Sequence, residues 1–213
     1  CFLDKVYEIG SVGTVMPDLE VKIGENNEIL LRGKTITTGY YKKPEATAAA
    51  IDKDGWFHTG DAGYLKGNHL YLTERIKDLF KTSNGKYISP QALETKLSID
   101  RYIDQIAVIA DQRKFVSALI VPVYGLVKNY AKEKGLEYKD MADLLQHPKV
   151  QALFRARIDT LQQQFAHYEQ VKRFTLLSEP FSMERGELTN TLKLKRSVVA
   201  KNYKELIDKM YEE

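Results

Sequence analysis

The run Gly55-Trp56-Phe57-His58-Thr59-Gly60-Asp61 places the only Trp of the chain beside a His, a Thr and an Asp, between glycines that permit tight turns. Two short, mainly apolar segments follow, Ala62 to Leu65 and Leu70 to Leu72, and the turn residues Lys66-Gly67-Asn68 separate them. This spacing predicts a β-hairpin directly after the Trp-containing run. The polar run Glu74-Arg75-Ile76-Lys77-Asp78 then ends the pattern.

Toward the N-terminus the sequence again has the pattern of short strands. Apolar and charged residues alternate over 19–23, turn residues occupy 24–27, and a second strand pattern covers Glu28 to Arg32. Pro44 then opens a short helix rich in alanine. We therefore predict that residues 1–76 form an antiparallel, barrel-like β piece.

Beyond position 76 the pattern changes. A hairpin is predicted about Ser83-Asn84-Gly85, and a helix begins with Ser89 as its N-cap and Pro90 at its first position. Residues 77–213 are therefore predicted to form a small α+β domain, which makes the whole chain α+β in two domains. The further predicted elements are strands at Ile103 to Ala110, Phe115 to Val123 and Val171 to Leu177, and helices at Lys149 to Phe165 and Val198 to Tyr211.

Composition narrows the class of protein. The chain has 213 residues, 43% hydrophobic and 29% charged, which disfavours long disordered tracts, collagen and disulfide scaffolds. No apolar run reaches the roughly 18 residues of a spanning helix, and the net charge of +3 is too small to indicate nucleic acid or an anionic membrane. One cysteine, Cys1, favours a reducing, cytoplasmic location. A chain that starts at Cys1 without a signal-peptide pattern is expected to be a fragment.

Two polar residues and one polar run could bind a ligand or take part in catalysis, and each also has an ordinary structural interpretation. Asp61 could accept two hydrogen bonds from a vicinal diol such as a ribose, or it could be a turn residue. Arg75 could bind phosphate as a fork-shaped donor, or it could be a solvated surface arginine. In the run Gly186 to Arg196, a cation on a loop could stabilise charge on a phosphate, or the run could be a basic helix start.

Four motifs occur together and in a fixed order, and they resemble the adenylate-forming enzymes. This superfamily comprises acyl-CoA synthetases, peptide-synthetase adenylation domains and beetle luciferases. The resemblance covers nearly the whole chain. The matching residues are Glu28, Arg32, Gly33, Gly39 and Tyr40; then Trp56, Thr59, Gly60 and Asp61; then Arg75, Lys77, Asp78, Gly85, Ile88 and Pro90; and finally Thr189, Thr191, Lys193 and Arg196.

The resemblance also indicates which part of an enzyme the chain represents. Family members carry a Gly/Ser/Thr-rich phosphate loop with a Lys, and a Tyr-Gly-x-Thr-Glu segment, upstream of the first motif, and neither occurs here. The chain therefore resembles the last third of a synthetase: the end of the large AMP-binding domain over 1–76 and a mobile small domain over 77–213. The helical stretch from Tyr124 to Gln170 is most similar to the long-chain fatty acyl-CoA synthetases.

The family reaction implies ATP, Mg²⁺ and coenzyme A as substrates and cofactors, and a fatty acid as acyl donor. A carboxylate attacks the α-phosphate of ATP to give an acyl-adenylate and pyrophosphate, and a thiol then takes the acyl group. By resemblance, Asp61 holds the ribose hydroxyls and Arg75 supports the ribose and phosphate side. Leu72 packs against the adenosine. Lys193 bridges the carboxylate and the α-phosphate, and the chain supplies no metal ligand.

The resemblance also assigns residues to the second half of the reaction. The small domain rotates between the two halves, and Lys77 matches the hinge position. Gly85 would line the pantetheine tunnel, and Lys81 is a candidate for assisting thioester formation. Two positions depart from the family pattern, because many relatives have Gly where Leu192 and Glu74 stand.

The leading hypothesis is a fragment of a fatty acid–CoA ligase that is inactive alone and needs the N-terminal part of the same enzyme as its partner. Peripheral membrane contact is compatible with this interpretation, and nucleic acid is not an expected partner. A second hypothesis is a basic nucleic-acid-binding module that uses Lys193, Lys195, Arg196 and Lys201. A third is an inactive structural relative of the ligases.

Overall fold

The computed structural model describes residues 8–212, and it divides into two compact units, one ending at Leu79 and the other beginning at Phe80. Cys1, on which the fragment interpretation rests, lies outside the described residues. Both units mix helices with strands, which confirms the predicted α+β class.

The first unit is a five-stranded antiparallel sheet in the order β1-β5-β4-β3-β2. The alternation over 19–23 is reproduced as a strand that pairs from Leu19↔Gly33 to Ile23↔Ile29. Gly33 is required there, because a Cβ on it would lie 2.3 Å from the carbonyl oxygen of Asp18. The elements are β1 (Gly13–Thr14), β2 (Leu19–Ile23), β3 (Glu28–Gly33), α1 (Pro44–Ala50), β4 (Phe57–Lys66) and β5 (His69–Arg75).

This sheet is open in the described part of the chain, with β1 and β2 at its two edges, so the predicted barrel-like piece is not a closed barrel. The two-residue β1 pairs only with β5. Because β1 and β2 do not pair with each other, the two edges of the sheet are not joined. The Trp-containing run, which the sequence pattern did not assign to a strand, is mostly part of β4 from Phe57 onward.

The second unit is built on the sheet β10-β9-β8, in which β8 and β9 are antiparallel and β9 and β10 parallel. Its elements are β6 (Phe80–Lys81), β7 (Tyr87–Ile88), α2 (Pro90–Leu97), β8 (Ile103–Ile109), β9 (Val116–Pro122), α3 (Tyr124–Glu133), α4 (Met141–Gln146), α5 (Pro148–Leu161), β10 (Val171–Leu176), α6 (Arg196–Asn202) and α7 (Lys204–Lys209).

The central strand β9 is buried along its whole length, and its two faces belong to different cores. Ala118 and Ile120 pack in a cluster with residues of α2 to α5, whereas Leu119 and Val121 pack in a cluster with residues of α6 and α7. Helices therefore cover both faces of this sheet. Within residues 8–212, no helix combines the length and apolarity that crossing a membrane requires.

Two predicted helices end differently in the structure. The predicted helix Lys149 to Phe165 ends at Leu161, because the buried Gln162 turns inward and its side-chain oxygen accepts the Val171 amide at 2.8 Å. The predicted terminal helix Val198 to Tyr211 is two short helices, α6 and α7. The chain leaves helical geometry at Tyr203, whose ring packs edge-on against Phe181 at 5.7 Å.

Candidate active site

Asp61 and Arg75 are brought together on neighbouring strands. They are cross-strand partners in β4 and β5, and Arg75 Nε lies 3.2 Å from Asp61 Oδ1. The Asp61 side chain is 31% exposed and that of Arg75 is 60% exposed, so both can reach a ligand from solvent. Leu72, also on β5, is 51% exposed. This arrangement can present one carboxylate and one guanidinium to a polyhydroxyl or phosphate group.

The turn that precedes Asp61 is fixed by Glu28 on β3. One Glu28 oxygen accepts the Gly60 amide at 3.0 Å, and the other lies 2.8 Å from Nδ1 of His58. Thr59 Oγ1 donates to the Ile29 carbonyl at 2.7 Å and accepts the Asp61 amide at 3.1 Å. Glu28 and Thr59 therefore position the Asp61 backbone, and His58 is a hydrogen-bond partner of Glu28.

Arg32 has a structural role in the same unit. Its guanidinium lies 4.5 Å from the Trp56 ring centroid and donates to both oxygens of Glu20, at 3.0 and 2.8 Å. The hydrogen bonds from Arg32 hold the pKa of Glu20 below its usual value. Arg32 therefore connects β2 to the loop before β4, and it explains why the motif carries an arginine and a tryptophan.

Lys193 lies on a tight turn within residues 188–195, which we call the lysine loop. Leu188 and Leu194 form an antiparallel bridge at its base. The Thr189 amide donates to the Lys193 carbonyl at 2.8 Å, and the Lys193 amide donates to Thr189 Oγ1 at 3.0 Å. Thr191 Oγ1 lies 3.0 Å from Thr189 Oγ1. The threonines of the motif therefore fix the backbone that carries the exposed Lys193.

Leu192 adopts φ = +60° immediately before Lys193, a conformation that favours glycine. This conformation gives a physical reason for the Gly that the family pattern is expected to have at this position. A left-handed L-residue costs roughly 1–2 kcal/mol, and the entropy that glycine loses on folding offsets part of that difference. Leu192 is 68% exposed, so its side chain contributes little packing.

We expect Leu192→Gly to stabilise the lysine loop by less than about 1 kcal/mol. Hydrogen exchange of the Lys193 amide should accordingly slow by about two- to fivefold. Gly186→Ala is the matched control, because Gly186 has φ = +71° with open space around its Cβ position, and there the same exchange should become faster. Faster exchange in Leu192→Gly would show that the leucine side chain holds the loop.

The remaining predicted positions, Gly85, Lys81 and Lys77, lie on a hairpin turn, a strand and a 3-10 turn, respectively. Gly85 has φ = +75° at the tip of the β6–β7 hairpin, with open space where a Cβ would lie. Lys81 is exposed on β6, and its Nζ lies 5.7 Å from the Tyr87 ring centroid. Lys77 is exposed in a 3-10 turn over Ile76–Asp78, near the end of the first unit.

Sequence reasoning missed two carboxylates that hold the lysine loop. Glu187 is 1% exposed and Glu94 is mostly buried on α2. Glu94 pairs with both terminal nitrogens of Arg196, at 2.6 and 2.7 Å. This pairing neutralises one of the four cations assigned to a nucleic-acid surface. Glu187 lies inside the run Gly186 to Arg196 and could have been singled out there. Glu94 lies on a helix, and no sequence pattern distinguishes it from other helical glutamates.

Comparison with known proteins gives the class of protein to which this fold and these motifs belong. The family model of the AMP-binding enzyme C-terminal domain matches residues 77–213, more than half of the chain. The chain therefore belongs to the family of AMP-binding enzymes that carry this domain.

Two curated proteins are similar to this chain over nearly its whole length. The chain is 34% identical over 224 residues to long chain acyl-CoA synthetase 6, peroxisomal, of Arabidopsis thaliana, covering 96% of this chain and 32% of that protein. It is 32% identical over 209 residues to the long-chain-fatty-acid–CoA ligase FadD15 of Mycobacterium tuberculosis, covering 96% and 34%. The chain thus spans about a third of the length of these curated relatives.

The adenylation domain of a carboxylate reductase from Mycobacterium chelonae has a similar structure. The TM-score is 0.65 at 26% identity, over 86% of this chain and 27% of that chain. Over the part of the chain that it covers, this match supports the assignment of the fold to the adenylate-forming enzymes.

Proposed function

We propose that this chain is the C-terminal part of an AMP-forming long-chain fatty acid–CoA ligase. The observation that carries the proposal is the lysine loop, in which hydrogen bonds to the backbone fix a turn that presents Lys193. No carboxylate of residues 8–212 forms an ion pair with Lys193, so its charge is available to a ligand. Relatives named as long-chain acyl-CoA synthetases match 96% of the chain.

In the proposed first half-reaction, an oxygen of the fatty acid carboxylate forms a bond to the α-phosphorus of ATP. The bond from that phosphorus to the bridging oxygen breaks, and pyrophosphate leaves with the electron pair. Asp61 accepts hydrogen bonds from the ribose hydroxyls, Arg75 supports the ribose and phosphate side, and Leu72 packs against the adenosine. Lys193 neutralises negative charge on the carboxylate and the α-phosphate.

In the proposed second half-reaction, the thiol of coenzyme A attacks the acyl-adenylate carbonyl and AMP leaves. Gly85 lies at a turn where a side chain would take up space beside the pantetheine arm. Lys81, exposed on the strand before that turn, assists this half. We place the domain boundary between 76 and 77 and the hinge at Lys77. The family model, which begins at 77, supports this placement.

Magnesium is proposed to enter with the nucleotide. Proteins usually hold Mg²⁺ through substrate phosphates and one or two carboxylates. In the described part of the chain, no group of three His, Cys, Asp or Glu side chains is arranged to hold a metal ion.

The proposed partners follow from the family. They are the N-terminal part of the same enzyme, a fatty acid, ATP and coenzyme A. A cytoplasmic location is proposed from the single cysteine, and peripheral membrane contact is proposed because the substrate is a fatty acid.

The test is pyrophosphate release and CoA thioester formation by the full-length protein with fatty acids of graded length. We expect both products with long chains, and neither product from the 213-residue chain alone. Turnover by the chain alone would contradict the proposal that it is an incomplete enzyme. Absence of release from the full-length protein at every chain length would favour an inactive relative or another class of acid.

A further inference from the structure

A glutamate holds each end of the lysine loop: the buried Glu187 at one end and Glu94, whose side chain is 12% exposed, at the other. On its N-terminal side the Glu187 carbonyl accepts the Lys195 amide at 2.8 Å, and the Glu187 carboxylate is itself hydrogen-bonded to Arg185, Ser182 and Asn202. On its C-terminal side, Arg196 follows the loop directly and pairs with Glu94. The second anchor lies about 100 residues away in sequence, so it constrains the loop from outside its own segment.

The ion pair between Glu94 and Arg196 also consists of well-aligned hydrogen bonds. Arg196 donates two hydrogen bonds, one to each carboxylate oxygen, at 2.6 and 2.7 Å. Glu94 Oε1 also accepts the Val108 amide of β8 at 2.8 Å, and the Arg196 guanidinium lies 5.5 Å from the Phe80 ring centroid. The side chains are 12% and 30% exposed. Bidentate pairing sets the orientation of the guanidinium as well as its distance.

Packing holds this end of the loop on one side only, where Leu194 contacts the core cluster that contains Leu119 and Val199. Leu194 and Arg196 both line a cavity of about 350 Å³, which is also bordered by Phe80, Val108 and Ser197. A residue beside such a space lacks neighbours on one side to fix its position. The ion pair, together with the hydrogen bond from the Val108 amide to Glu94, therefore connects Arg196, and through it the lysine loop, to β8 by directional contacts.

We infer that Glu94 is a positioning residue for Lys193 in the adenylation half-reaction, a role that rests on the proposed function. The carboxylate does not touch the substrate; it acts through Arg196 and the lysine loop. Misplacement of a reacting group by about 1 Å can lower a rate by about 100-fold.

The test compares Glu94→Gln with wild type in the full-length protein. The amide keeps the shape of the side chain and one acceptor, but removes the charge and the second acceptor. We expect the kcat for pyrophosphate release to fall by about 10- to 100-fold with the KM for ATP little changed. Thioester formation from supplied acyl-adenylate should keep the wild-type rate. Glu205→Gln, an exposed glutamate of α7, is the matched control and should behave as wild type.

A second measurement does not depend on catalysis. Amide exchange over residues 188–195 should become about tenfold faster in Glu94→Gln, with exchange in α5 unchanged. The double variant Glu94→Gln, Arg196→Gln should be no slower in adenylation than the worse single variant, because both break one contact.

The inference is overturned if Glu94→Gln leaves adenylation unchanged, or if both half-reactions fall equally together with exchange across the whole unit, which would show a general structural role. Failure of the proposed function has a different signature, because the wild-type protein would then release no pyrophosphate. The exchange of residues 188–195 would still decide in that case whether Glu94 fixes the loop.

Discussion

Lys193→Ala in the full-length protein is expected to lower the rate of pyrophosphate release by about 100- to 1,000-fold, equivalent to about 3–4 kcal/mol of transition-state stabilisation. As the carboxylate attacks, negative charge from two groups is brought together at the α-phosphorus, and the proposed role of Lys193 is to neutralise it. The loop should keep its shape, because Thr189 contacts the backbone of Lys193 and not its side chain. The measurement is single-turnover pyrophosphate release at saturating ATP and fatty acid.

Two controls separate this electrostatic role from other effects. Lys195→Ala removes an exposed cation of the same loop and should change the rate by less than about twofold. Supplying the acyl-adenylate should restore thioester formation in Lys193→Ala, because the lysine acts in the first half only. Equal pyrophosphate release by wild type and Lys193→Ala would contradict the role that the motif assigns to this lysine.

Local pattern predicted the hairpins and the caps of this fold. Alternation over 19–23 and the turn after it gave β2 and β3, and Ser89 accepts the Ala92 amide as the expected N-cap of α2. These features depend on neighbouring residues, so the sequence contains the information directly. The open form of the first sheet depends on which strands pair at its edges, and composition carries little information about that pairing.

Long-range side-chain contacts explain what the sequence did not predict. Helix α5 ends at Leu161 because Gln162 bonds to Val171, and the C-terminal helix divides at Tyr203, whose ring packs against Phe181. Glu94 is found only once α2 and the start of α6 are seen together. In the candidate site, pairing of β4 with β5 brings Asp61 to Arg75, whereas the motif gave only their order.

Glu187→Gln is expected to lower the free energy of unfolding of the second unit by about 2 kcal/mol at pH 7. Burial acts to raise the pKa of Glu187, but hydrogen bonds from Arg185, the Ser182 amide and Asn202 outweigh it, so the pKa lies below its usual value. The ionised carboxylate therefore stabilises the folded state. Since its folded pKa is depressed, this stabilisation is present above the unfolded pKa of about 4.3 and is lost as pH falls through the folded value.

The two units allow this effect to be localised by spectroscopy during urea unfolding of the 213-residue chain. Of the seven described α-helices, all but α1 belong to the second unit, so circular dichroism at 222 nm reports mainly on that unit, whereas fluorescence of the only Trp, Trp56, reports on the first. The loss of stability should appear in the dichroism and not in the fluorescence.

The loss of stability in Glu187→Gln should also shrink as pH falls below about 4, because a protonated Glu187 resembles glutamine. Glu184→Gln, an exposed neighbour, should change neither signal. A difference between wild type and Glu187→Gln that stays constant from pH 7 to pH 3 would show that the side chain stabilises the unit by its shape and not by its charge.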